Sequence, residues 1–181
     1  MRGENMTVIR LVKRAKRGNK DALLQLINEQ QDDYYRLALK YMGNPQDAMD
    51  AMEEMIVSLY RHIPTLKKND AFYSWSKTIL VNQCKQMLRK KARVQLLDEW
   101  ESMEVASDAD PITQSEQRID IEEMLSYVNV YQREAIELKY FHDLDYQTIA
   151  EVTDVSIGTA KSRVFTGLEK MRNRYRGERD D

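Results

Sequence analysis

The stretch DYQTIAEVTDVSIGTAKSRVFTGLEKMR, residues 145–172, decides the fold. Asp145 is a natural N-cap, and the spacing after it predicts a short helix over Tyr146–Val152. Thr153-Asp154-Val155 reads as a tight turn, and Ser156 as a second N-cap opening a helix from Ile157 to about Arg174. Two helices joined by so short a turn form a helix-turn-helix. In the second helix Ala160, Val164, Leu168 and Met171 fall on one face, while Thr159, Ser162, Arg163, Thr166 and Lys170 fall roughly opposite. One stripe is suited to burial and the other to hydrogen bonding. Read from pattern alone, the same helix also suits an ordinary amphipathic bundle.

Working outward, helical periodicity covers almost the whole chain. Val8, Leu11, Val12 and Ala15 keep i, i+3, i+4, i+7 spacing, and Leu23, Leu26, Ile27, Leu37, Ala38, Tyr41 and Met42 continue it. Gly43-Asn44-Pro45 stops that run, because Gly suits a left-handed cap and Pro cannot continue a helix. Ala48, Ala51, Met52, Met55, Ile56 and Leu59 mark the next helix, Pro64 and Lys67–Asp70 a loop, and Phe72 to about Arg93 a further helix. Strand-like alternation of useful length is missing from the sequence. The expected fold is therefore all-α: two small helical domains, residues 1–95 and 118–181, joined by a flexible acidic linker over 96–117. Gln95–Asp120 holds eight acids against the one base Arg118.

The composition narrows the function. With 28 Lys plus Arg against 30 Asp plus Glu among 181 residues, the net charge is −2, so any surface suited to nucleic acid is local. Lys85–Arg93 carries five bases and no acid, Val155–Arg176 six bases against Glu169, and Arg10–Lys20 six bases. A lone Cys84 excludes an internal disulfide framework, and the widely separated His62 and His142 lack a metal-ligand pattern. Phosphate-cradling glycine loops and a Ser-His-Asp pattern are missing too, so neither catalysis nor a cofactor or metal is expected. Apolar runs reach neither signal-peptide nor membrane-span length, which suits a cytoplasmic protein.

The string YQREAIELKYFHDLDYQTIAEVTDVSIGTAKSRVFTGLEKMR, residues 131–172, resembles region 4 of the extracytoplasmic-function sigma factors of the sigma-70 family. LVKRAKRGNKDA (11–22), YRLALKYMGNPQDAMD (35–50) and Phe72–Arg93 are similar to that family's region 2. The resemblance departs at Asp154, where the family usually has Gly, at Asn129, near where it often has Pro, and at Asp47–Asp50, where its acidic pattern is altered. It implies a subunit that binds core RNA polymerase and promoter DNA and is held by an anti-sigma factor. By that resemblance, the −35 element would be read by Ser156, Thr159, Lys161, Ser162, Arg163, Thr166 and Lys170. Lys68, Asn69, Phe72, Tyr73, Lys77, Asn82, Lys85 and Arg89 would serve the −10 element, and Asp47, Asp50, Glu53 and Glu54 the polymerase. A stand-alone helix-turn-helix regulator and a protein-interaction module are the competing readings.

Overall fold

In the computed structural model, residues 2–98 and 116–177 are described, their side chains over 6–92 and 121–175. The described residues form α-helices and short 3₁₀ turns, with no strand among them. The chain divides into two units, residues 1–108 and 109–181. Most of the expected acidic linker, residues 99–115, lies outside the described residues.

The first unit holds α1 (Arg2–Ala15), α2 (Lys20–Asn28), α3 (Gln31–Met42), α4 (Pro45–His62) and α5 (Phe72–Asp98). Their boundaries follow local chemistry. Asn19 caps α2 by accepting from the Ala22 amide at 2.8 Å. Gly43 ends α3 at φ +76, where a side chain would be strained. Asn44 then caps α4 through the Asp47 amide at 2.9 Å, with Pro45 in the first turn. Helix α5 runs beyond the expected Arg93 to Asp98, since no Gly or Pro stands in Val94–Asp98 to end it.

Helices α3, α4 and α5 pack on one another, and α1 pairs with α2. Tyr34, Leu37, Met55, Leu59, Phe72 and Leu80 are fully buried among them. The buried polar groups are paired. The Tyr34 hydroxyl meets Ser76 Oγ at 2.7 Å, and burial pushes the Tyr34 phenol pKa up. Lys77, only 4% exposed, faces Asp33 at 3.7 Å. Between α4 and α5 the chain makes 3₁₀ turns at Ile63–Thr65 and Asn69–Ala71. Both turns are fastened to α1: Lys16 donates to the Leu66 carbonyl at 2.7 Å and to Asn69 Oδ1 at 3.2 Å.

The second unit holds α6 (Glu116–Ser126), α7 (Val130–Tyr140), α8 (Tyr146–Thr153) and α9 (Ile157–Gly177). Asp145 caps α8 by accepting from the Thr148 amide at 2.7 Å, and Asp154 closes it in the left-handed region, φ +55. The Val155 amide returns to the Ala150 carbonyl at 3.0 Å, completing the helix-ending loop that Gly usually supplies. Ser156 Oγ accepts from the Thr159 amide at 3.1 Å and opens α9. The expected stripe is the inner one: Ala160, Val164 and Met171 are buried, and Leu168 is half-buried. Leu125, Val128 and Ile136 complete that core with Met171.

Helices α7 and α9 cross at Gly167. A Cβ there would stand 2.7 Å from Ile136 Cδ1 and 3.2 Å from Gln132 Cβ. Gly167→Val is therefore expected to overpack the crossing and to lower stability by about 1–3 kcal/mol, measured by denaturant unfolding of the full chain. Cys84 is fully buried, and desolvation pushes its thiol up to about 11. At pH 8 it should react with an aromatic disulfide reagent at least ten-fold more slowly than in the denatured chain, and the rate should still be rising above pH 9. A native-state rate equal to the denatured one would contradict this burial.

Candidate nucleic-acid interface

In the second unit the outer face of α9 is held by α7. Asn129 and Gln132 form a reciprocal cap: Asn129 Oδ1 accepts from the Gln132 amide at 2.9 Å, and Gln132 Oε1 accepts from the Asn129 amide at 3.3 Å. The same Gln132 side chain crosses to α9. Its Nε2 donates to Thr166 Oγ1 at 2.9 Å, and its Oε1 accepts from Lys170 Nζ at 3.3 Å. The Thr166 hydroxyl in turn donates to the Ser162 carbonyl at 2.7 Å. Every group has one possible sense here, because an ammonium and a backbone amide only donate. The Gln132 amide, 8% exposed, is thus locked in a single orientation.

Beside this junction lies a concave depression of about 510 Å³, lined by Asn129, Tyr131, Gln132, Ser156, Gly158, Thr159, Ser162, Arg163 and Thr166. The Arg163 guanidinium lies 4.9 Å from the centre of the exposed Tyr131 ring. A ring face attracts a cation and restricts its swing, which leaves the fork of N–H donors partly pre-set. Ser156 and Thr159 share a hydroxyl–hydroxyl bond of 2.9 Å at the start of α9. Lys161 sits 5.9 Å over the Tyr146 ring.

All seven residues expected to serve the −35 element therefore lie on α9 or at its cap, and none is buried. Their availability differs. Ser162 is exposed, and Arg163 keeps its donors. Thr166 has already given its proton to Ser162, so outward it can only accept. Lys170 is engaged with Gln132. Tyr131 and Gln132 were not among the expected residues. Asn129-x-x-Gln132 has the spacing of a reciprocal cap and was legible as such, but its second use across the crossing was not.

In the first unit the expected −10 residues separate into two groups. Phe72 and Lys77 are buried, so neither presents its side chain at a surface. Phe72 packs edge-on to Tyr73, with ring centres 5.4 Å apart, and Lys77 answers Asp33. The remaining candidates are accessible. Lys68 is exposed, Asn69 is half-buried against Lys16, and the half-buried Tyr73 donates to Glu29 Oε2 at 2.7 Å. On α5 the exposed Asn82 and Arg89 and the half-buried Lys85 share one helical stripe.

The carboxylates of α4 separate likewise. Glu53 and Glu54 are exposed, and Asp50 accepts from Gln46 Nε2 at 3.2 Å. Asp47 is committed internally, to Asn44 and to an ion pair with Lys91, and the Lys91 bond holds its carboxyl below the usual range. Met52 and Met55 are core residues. Among the described residues no cluster of His, Cys, Asp and Glu could hold a metal, and no helix is long and apolar enough to cross a membrane.

Known proteins resemble the chain in both units. Residues 26–94 match the family model of sigma-70 region 2, and residues 118–171 that of sigma-70 region 4. The RNA polymerase sigma factor SigV of Bacillus subtilis is 30% identical over 157 residues, 87% of this chain and 93% of that one. The ECF RNA polymerase sigma factor SigW of the same species is 27% identical, covering 94% of this chain and 98% of its own. Among solved structures, CnrH in complex with the cytosolic domain of CnrY aligns with a TM-score of 0.61 at 17% identity, over 94% of this chain and 98% of that one. The Bartonella quintana sigma factor RpoE, solved with the anti-sigma factor NepR, also reaches 0.61, at 21% identity over 82% and 93%. The paired helical units, the region 2 and region 4 matches and the near full-length likeness to SigV place this chain among the extracytoplasmic-function sigma factors of the sigma-70 family.

Proposed function

We propose that the chain binds core RNA polymerase, that α9 reads the upstream promoter element and that the first unit engages the melted −10 element. The carrying observation is the outer face of α9, where Ser162 and the ring-supported Arg163 border a depression beside the helix N-terminus. A major groove admits one helix, and an arginine fork can bond two acceptors of a guanine edge. Thr159 and Ser156 stand at the helix start, where backbone amides favour a phosphate. In the first unit the Asn82–Lys85–Arg89 stripe would supply bases for the strand's phosphates, and the exposed Lys68 and half-buried Asn69 would receive a displaced base. Glu53 and Glu54 remain the free carboxylates for a basic polymerase surface. The fold likeness to two chains solved with partner proteins supports control by an anti-sigma factor.

Run-off transcription with core polymerase and genomic promoter fragments tests this reading: transcripts should start only when the chain is added. Arg163→Ala should weaken recognition of the upstream element by about 1–3 kcal/mol, and Arg163→Lys should recover little of it, since an ammonium cannot bond two acceptors in a plane. Tyr131→Ala should cost less, about 0.5–1 kcal/mol, by freeing the guanidinium. Holoenzyme affinity for promoters with and without the upstream element measures all three, and equal losses on both promoter types would remove Arg163 from base reading.

A further inference from the structure

Lys16 stands in the basic run of α1 and its following turn, yet its ammonium does not point at solvent alone. It reaches the segment between α4 and α5, 2.7 Å from the Leu66 carbonyl and 3.2 Å from Asn69 Oδ1. These acceptors sit at the end of one 3₁₀ turn and the start of the next. One cation therefore fastens both turns to α1. The far end of the same segment is held independently, by the bond from Tyr73 to Glu29 at 2.7 Å.

The bond to Asn69 has a chemical consequence. A primary amide offers a carbonyl oxygen on one side and an NH₂ on the other, and free rotation exchanges them. An ammonium carries only donors, so it accepts only the oxygen as neighbour. While Lys16 holds its place, the oxygen of Asn69 is turned inward and its two N–H donors are left over. Among the described residues none accepts from that NH₂, and Asn69 is half-buried at the segment's surface. A base approaching it would meet donors and no acceptor.

We propose that Lys16 is a positioning residue that sets base preference in the melted −10 element by fixing Asn69 as a donor-only reader. The inference rests on the proposed role of the Lys67–Tyr73 segment in receiving a displaced base. It adds a specificity-determining residue that stands outside that segment, in the turn that follows α1. Lys16 itself touches no base. Its effect passes through the rotation of one amide and the anchoring of one carbonyl.

The test uses the full chain with core polymerase on a promoter library randomised across the −10 element, with transcripts counted by sequencing. Three variants are compared with the parent. Lys16→Met keeps the aliphatic stem and removes the donor, Lys16→Arg keeps a donor-only head, and Asn69→Asp replaces the NH₂ by an acceptor. Lys16→Met should reduce discrimination at one position of the element about 3- to 10-fold and leave the other positions as they were. Lys16→Arg should restore at least half of that discrimination. Asn69→Asp should abolish or shift the preference at the same position.

If Lys16→Met lowers transcription equally from every library member, its role is structural or electrostatic and the proposal is overturned. The proposal also falls if both Lys16 variants keep the parent's preference while Asn69→Asp changes it, although the segment's role in base reading then survives. If Asn69→Asp leaves every preference unchanged, that reading of the segment fails, and the positioning role fails with it.

Discussion

The close crossing of α7 and α9 is the constraint on which the second unit depends. At Gly167 a hydrogen stands where any other side chain would press on Ile136 and on the Cβ of Gln132. That approach brings Gln132 near enough for its amide to span the two helices, and it turns Ala160, Val164 and Met171 inward. Because a helix repeats every 3.6 residues, burying that stripe sends Ser162 and Arg163 outward. The polar face is thus a geometric result of apolar packing, and it would survive considerable change in the identity of the outward residues.

Polar groups play a different part in the first unit. Its core includes Tyr34, Ser76 and Lys77, each with a partner on another helix. Such groups cost free energy to bury and return it only when paired. They tie α5 to α3 at Ser76 and Lys77. The ammonium of Lys16 makes a similar link at the rim, where it donates to the Leu66 carbonyl and to the Asn69 side-chain oxygen.

Local signals account for what could be foreseen. The caps at Asp145 and Ser156, the stop at Gly43 and the tight turn at Asp154 all depend on neighbours within a few positions, and each was legible. The assignments that shifted depend on distant residues. Phe72 begins the buried stripe of α5, but Ser76 and Lys77 interrupt its apolar pattern, so the stripe looks partly solvent-facing in one dimension. Lys77 reads as a −10 element residue until Asp33 is seen beside it, and Asp47 as a carboxylate for the polymerase until Lys91 is. Pairings between helices leave no periodic trace, which is why the Gln132 junction and the Lys16 fastening were also beyond reach.

The interior position of the lone Cys84 has a practical bearing on how the two units can be studied. A thiol introduced anywhere on the exterior would be the sole fast-reacting one in the chain. A fluorophore could then be attached to α5 or α9 at will, without first removing the native sulfur from between packed helices. Pairs of such labels would report the separation of the units as a partner protein or a promoter is added.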